Sequence, residues 1–298
     1  MSKKPNYTKG SITSKDGTII GYRQIGNGPG IIILHGGGKG SQTLMKLGSA
    51  LSDEFTVYIP DRRGRGLSGP FGDQYGLKRE VEDMDALLKK TGAHNVFGTA
   101  TGGTIALQSA LELSAIHKAV IFELVFYINK EEMDNFNEIG KRYDQQVNEG
   151  KLGAAMWTLG EIATKVSGDP TPSEYNWITY IPDSIWILIF RLILEFDGLM
   201  VSGDDVPLRE LLLTFHNDLL LINETKGTLE NFKDVSAEIL LLSSRKPFLF
   251  ITHILDALNK VLPHIERAVI QEGDHEAAEE RGKPLLVAQE LKRFYKSK

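Results

Sequence analysis

Short apolar runs recur along the chain, each closed by glycine or a polar turn. They are Ile19-Ile20, Ile31 to Leu34, Phe55 to Ile59, Val96-Phe97, Ala119 to Phe122, Ile239 to Leu242 and Ala268 to Ile270. Runs this short, rich in Ile and Val, predict strands buried on both faces. Helical spacing fills the intervals. Ser41 reads as an N-cap before Leu44, Leu47 and Leu51. Leu77, Val81, Met84 and Leu88 repeat at the 3.6 period, and so do Leu255, Leu258 and Leu262, then Val287, Leu291 and Phe294. Ile105, Ala106, Ser109, Ala110 and Leu113 predict a small-residue helix packed closely on a sheet. Strands alternating with helices predict an α/β architecture with a doubly wound, mostly parallel sheet.

One stretch breaks the alternation. Residues 129–234 read as helical throughout, and they hold the bulky clusters Met156-Trp157 with Leu159, Trp177 to Phe196, and Leu211 to Ile222. The expected organisation is a sheet core from residues 1–128 and 235–298, with 129–234 as a helical cap. Such an insertion belongs at the carboxyl ends of the strands, where open α/β sheets bind ligands.

Composition narrows the function. The chain has 298 residues, a hydrophobic fraction of 41%, a charged fraction of 24% and a formal charge of −5. That charge argues against a nucleic-acid partner. Zero cysteines exclude disulfides, Cys-based zinc, iron–sulfur clusters and a thiol nucleophile. No apolar signal core follows the polar start Met1 to Asn6, so the expected location is the cytoplasm. The most apolar run, Ile185 to Phe190, is broken by Arg191 and Glu195. A bilayer span needs about 20 apolar residues, so no membrane span is expected.

The chemistry centres on Asn95 to Gly103, read as strand, sharp turn and helix. Within it, Gly98-Thr99-Ala100-Thr101-Gly102 has glycines where strand and helix must approach, around one central residue. The turn lifts that residue above the sheet at a helix N-terminus, where the dipole favours negative charge.

Four segments in order resemble the α/β-hydrolase family. Leu34-His35-Gly36-Gly37-Gly38 is similar to its oxyanion loop after the third strand. Asp61 to Ser68 is similar to its D-x-R-G-x-G-x-S turn after the fourth, and the elbow follows the fifth. Gly273-Asp274-His275 is similar to the turn that carries the family's histidine. The resemblance implies His275 as general base, and the backbone amides of Gly37 and Thr101 as oxyanion donors, with Gly36 in the substrate pocket. His35 reads as a structural loop residue, and Arg62, Arg63 and Arg65 as ties within their turn. Many family members place the acid after the seventh strand. Here that turn, Ser243 to Pro247, has no carboxylate, and Asp256 lies too far into its helix. A second family position, just after the sixth strand, holds Glu123, which is assigned to orient His275.

Position 100 is alanine where the family usually has serine, sometimes aspartate or cysteine. A methyl group cannot attack a carbonyl, and the elbow projects only its central residue, so Thr99 and Thr101 are poor substitutes. A dehalogenase would need aspartate there. The expectation is a carboxylic-ester hydrolase of Ser-His-acid type, inactive as written because its nucleophile is replaced by Ala100. Two alternatives stay open: a natural non-catalytic small-molecule binder, and nucleophile-free chemistry with His275 as base. Phe126, Tyr127 and Trp186, with Trp157, Trp177 and Phe190, suggest a pocket for a small apolar-leaning substrate. The glycine loops match neither a Walker A nor a dinucleotide fingerprint, so neither cofactor nor metal is expected. Monomer and homodimer are both compatible with the apolar run at 185–194.

Overall fold

The computed structural model describes residues 6–162 and 180–297. Eight strands form one sheet in the order β1-β2-β4-β3-β5-β6-β7-β8. The centre is β3 (Gly30–Leu34), β4 (Thr56–Pro60), β5 (Asn95–Thr99), β6 (Lys118–Phe122) and β7 (Glu238–Ser244). From β4 to β8 (Ile265–Ile270) every neighbouring pair is parallel. Strand β2 (Ile19–Ile25) runs antiparallel to both β4 and β1 (Thr8–Thr13). The mostly parallel doubly wound sheet is therefore present.

The two faces divide the strand side chains by strict alternation. Ile32, Val96, Ala119, Ile121 and Leu241 join one core; Ile31, Ile33, Phe97, Val120 and Leu240 join the other. Helices α2 (Leu77–Thr91), α3 (Thr101–Glu112) and α9 (Leu249–Val261) cover the first face. Helices α1 (Met45–Leu51) and α10 (Pro284–Lys296) cover the second. Burial on both faces is why the central runs read as unbroken apolar stretches, and each fully buried Ile or Val contributes roughly 1.5–3 kcal/mol.

Three details differ from the sequence reading. Strand β1 was not expected, because Thr8 to Thr13 carries a single buried apolar side chain, Ile12, on an edge. The terminal strand β8 is not buried on both faces, for Val269 is 47% exposed. Ser41 is not a helix N-cap. It opens a 3-10 turn whose cap is Gly40, its amide donates to Asp61 Oδ1 at 2.7 Å, and its hydroxyl accepts from the buried Arg23.

Between β6 and β7 the described residues form helices joined by turns and loops, with no strand: α4 (Lys130–Asn148), α5 (Leu152–Glu161), α6 (Asp183–Met200), α7 (Leu208–Leu212), α8 (Phe215–Glu224) and a 3-10 turn at Leu229–Asp234. Trp177 lies outside the described residues.

The turn after β4 is a hub of buried charge. One expected tie within the turn is present, from Arg65 to Arg63 O at 3.3 Å, but the arginines mainly reach across to other elements. Arg62 binds Glu80 of α2 at 2.9 Å and Asp218 of α8 at 2.8 Å. Arg63 grips Asp83 of α2 in a bidentate pair at 2.6 and 2.7 Å and holds Asp16 of the β1–β2 turn at 2.7 Å. Arg65 reaches Asp218 at 2.7 Å. A guanidinium needs several acceptors when buried, and a short turn cannot supply them.

Breaking one partner of such a pair strands a buried charge. Arg63→Met is expected to cost about 3–5 kcal/mol in urea unfolding. The double variant Arg63→Met/Asp83→Leu should recover much of that loss, because no buried carboxylate is left unpaired there. Equal losses in single and double variants would show that the pair is not the source.

Candidate active site

Strand β5 and helix α3 are joined through Ala100 alone. Its backbone takes φ 49° and ψ −122°, a sparsely populated conformation that costs of order 1–3 kcal/mol. The surroundings impose it. The Ala100 amide donates to Phe122 O at 3.1 Å, while its carbonyl accepts from Gly103 and Thr104 at 2.9 and 3.2 Å. A Cβ on Gly98 would lie 2.2 Å from Gly102 O, and one on Gly102 would lie 2.5 Å from His35 O. Both contacts are backbone on backbone, so neither can yield. The glycine loop lies directly over the elbow, since a Cβ on Gly36 would meet the Ala100 methyl at 3.2 Å. The Gly37 amide has no acceptor among the described residues. Thr101 is the first residue of α3, where helix amides lack intrahelical partners.

Glu123 follows β6 and also has positive φ, 44°. The twist turns its carboxylate back under the end of β7. One oxygen accepts from the Ser244 amide at 2.6 Å, and the other meets His275 Nδ1 at 2.8 Å. Glu123 is fully buried, while His275 is 27% exposed. Burial opposes ionisation of Glu123, but the hydrogen bond and charge of His275, with the Ser244 contacts, outweigh it and hold the carboxyl below its ordinary value. The turn after β7 thus supplies an amide donor where a carboxylate is absent. Phe248 stands against the histidine ring at 5.6 Å between centroids. With Nδ1 engaged, Nε2 is the nitrogen free for proton transfer.

His35 is buried, and both of its nitrogens are used. Nδ1 donates to Gly36 O at 2.9 Å, and Nε2 accepts from the Arg62 amide at 3.2 Å. Burial, with Arg65 and Arg62 close by, pushes its pKa well below the ordinary imidazole value. A neutral ring locked in one tautomer braces the glycine loop.

Asp218 of α8 was missed. Its Oδ2 accepts from the Gly38 amide at 2.9 Å, and its carboxylate bridges Arg62 and Arg65. A Cβ on Gly37 would lie 3.1 Å from the Asp218 side chain. The one signal was an acid inside the apolar run Phe215 to Ile222. Lys39 was missed too. It ties the other end of the glycine loop to Glu276 and Glu279, just beyond His275, at 2.9 and 2.8 Å.

Among the described residues, the aromatics assigned to a pocket divide between two places. Phe126 is buried in the core against Phe232, with ring centroids 5.5 Å apart. Tyr127 donates its amide to Thr225 and stacks under Lys226. Trp186 stacks on Trp157 at 5.7 Å, with Phe190 beside them, between α5 and α6. A groove of about 620 Å³ between α4 and α8 is lined by Asp144 and His216 among others, and none of Ala100, Glu123 or His275 borders it. Among the described residues no group of three or more His, Asp or Glu could hold a metal ion.

His35 sets a pH dependence. Below about pH 6.5 the unfolded chain binds a proton that the folded His35 refuses, so stability falls by up to ~1.4 kcal/mol per pH unit. His35→Gln should remove that slope, read as urea midpoints from neutral to mildly acidic pH. Parallel profiles for both proteins would show that His35 accepts a proton while folded.

A family model described as alpha/beta hydrolase fold matches residues 29–148. Over 90 residues the chain is 38% identical to the magnesium-chelatase 30 kDa subunit of Rhodobacter capsulatus, covering 29% of this chain and 31% of that protein. Over 101 residues it is 33% identical to an uncharacterized protein of Mycobacterium tuberculosis, covering 32% and 30%. The chain thus spans under a third of the length of either curated relative. The crystal structure of an alpha/beta hydrolase from Sphaerobacter thermophilus superposes with a TM-score of 0.70 at 21% identity, over 96% of this chain and 100% of that one. An esterase from Exiguobacterium antarcticum gives 0.68 at 16% identity, over 96% and 99%. Superposition at full length, with the strand order and elbow described above, shows that this chain has the α/β-hydrolase fold.

Proposed function

We propose that this chain carries the acyl-hydrolase site of its fold with one oxygen missing. The observation that carries the reading is the Glu123–His275 contact at 2.8 Å beside an elbow whose central residue keeps a strained backbone. In the full site a hydroxyl at position 100 attacks the acyl carbon. His275 takes its proton through Nε2 and returns a proton to the leaving alcohol. Glu123 fixes the tautomer and balances the imidazolium. The Gly37 and Thr101 amides receive the oxyanion. The substrate class is a carboxylic ester or related acyl compound, small and apolar-leaning. The neighbour from Exiguobacterium antarcticum is an esterase, which accords with this class. Residues 129–234 act as the cap over the core of 1–128 and 235–298, and the Asp218–Gly38 bond supports that role.

As written, with Ala100, the site is inert toward esters by this mechanism. Removing the nucleophile of a comparable triad lowers turnover about 2 × 10⁶-fold. A second reading follows from the same methyl group: an ordered, unreacting site that retains a carbonyl ligand.

Ala100→Ser is expected to gain ester hydrolysis by several orders of magnitude and to form a covalent adduct with a fluorophosphonate, read by intact mass, while the parent chain remains unlabelled. A folded Ala100→Ser protein that neither reacts nor hydrolyses short-chain nitrophenyl esters would transfer the weight to the ligand-binding reading. In the Ala100→Ser background, Glu123→Gln should lower kcat by roughly 10⁴-fold. Unchanged turnover would mean that the acid lies elsewhere.

A further inference from the structure

Helix α6 has two apolar faces, separated on one flank by Arg191 and Glu195. Its inner side, with Trp186, Ile187, Phe190 and Leu194, packs on α5, where a Cβ on Gly153 would lie 2.6 Å from Ile187 O. No described element covers its outer side. Ile185, Ile189, Leu192, Phe196 and Leu199 are exposed by 36–82%, and they follow one another at steps of 4, 3, 4 and 3 residues. That spacing is the seam of a helix that packs knobs-into-holes against another helix. An apolar helix face is ordinarily buried against another element.

We infer that the outer seam of α6 is the contact surface of a homodimer, with the same helix of a second copy as its partner. Area is the first argument. With Leu188, Ile193 and Met200 at its margins, the seam's side chains are exposed by 36–82%, which at roughly 200 Å² for a fully exposed large apolar residue leaves roughly 900 Å² open. Monomer patches rarely exceed ~600 Å², and a stable interface buries ~800 Å² per partner. Composition is the second. All five seam positions are uncharged and apolar, so two copies can meet without burying an ion. Charge is the third. Asp183, Glu195 and Asp197 against Arg191 leave α6 with a net negative charge, and a helix that binds an anionic lipid surface carries Lys and Arg instead. None of the helices among the described residues is long and apolar enough to cross a membrane. A two-fold axis through the middle of the seam sets Leu192 against its own copy, whichever way the helices run.

Charge substitution at Leu192 tests this. The residue is 48% exposed, so neither Leu192→Glu nor Leu192→Lys buries a charge in the fold. Far-UV circular dichroism verifies that both variants fold. Sedimentation velocity over a dilution series should give the parent chain a mass twice that of one copy. Each variant alone should sediment as a monomer, because like charges then face each other. An equimolar mixture of the two should recover the dimer. A parent chain that stays monomeric at every concentration overturns the proposal, and so does a Leu192→Glu protein that dimerises like the parent. A monomer that co-floats with neutral phosphatidylcholine vesicles overturns it in favour of a lipid partner.

Discussion

Backbone packed on backbone at Gly98 and Gly102 fixes the geometry on which the rest of the site depends. At 2.2 and 2.5 Å there is no room for any side chain at these positions. Strand β5 and helix α3 can meet only if the residue between them takes the strained conformation of Ala100. The contacts of Gly102 with the carbonyls of Leu34 and His35 extend this constraint to the glycine loop. Elbow and loop are therefore one rigid unit, and the amides that could receive an oxyanion are set by the same packing that sets residue 100.

Buried charge holds this unit to the parts of the chain that are distant in sequence. Asp218 brings α8 onto Gly38, and its negative charge is balanced by Arg62 and Arg65 from the turn after β4. His35 lies beneath the same arginines as a neutral ring, so it adds no repulsion. Lys39 draws the segment beyond His275 toward the loop from the other side. Buried pairs of this kind add little net stability, but they are costly to break, and alternative placements of α8 would leave Arg65 without its carboxylate and Arg62 with Glu80 alone. Such a network specifies position more than it supplies free energy.

Much of this was legible in the sequence, for physical reasons. Strands buried on both faces must be short and apolar, so β3 to β7 announced themselves. Glycines that tolerate no Cβ must be glycine, which marked the elbow. Glu123 was readable because the family resemblance offers a second acid position just after the sixth strand, and the structure brings it against His275. The edge strand β1 was not readable, since one face is in water and only Ile12 is buried. Asp218 was hidden because its partners lie more than 150 residues away, and local pattern carries no record of such separation. Phe126 was ambiguous for the opposite reason: an aromatic next to a strand end suits a pocket and a core equally, and here it is buried beside Phe232.

The strain at Ala100 ties these strands of argument together. In an enzyme, a positive φ at the nucleophile is commonly explained by the chemistry it serves. Here the side chain is a methyl group, yet the conformation persists, held by the Phe122 carbonyl, the amides of Gly103 and Thr104, and the glycine contacts. None of those interactions involves the side chain of residue 100. The strain therefore belongs to the junction of strand and helix, not to the residue that occupies it, and serine would meet the same backbone at nearly the same cost as alanine. Capacity for the reaction and integrity of the fold are thus separable at this position. Under the function proposed above, the scaffold preorganises base, acid and amide donors around a site whose reactivity is decided by whether one carbon bears an oxygen.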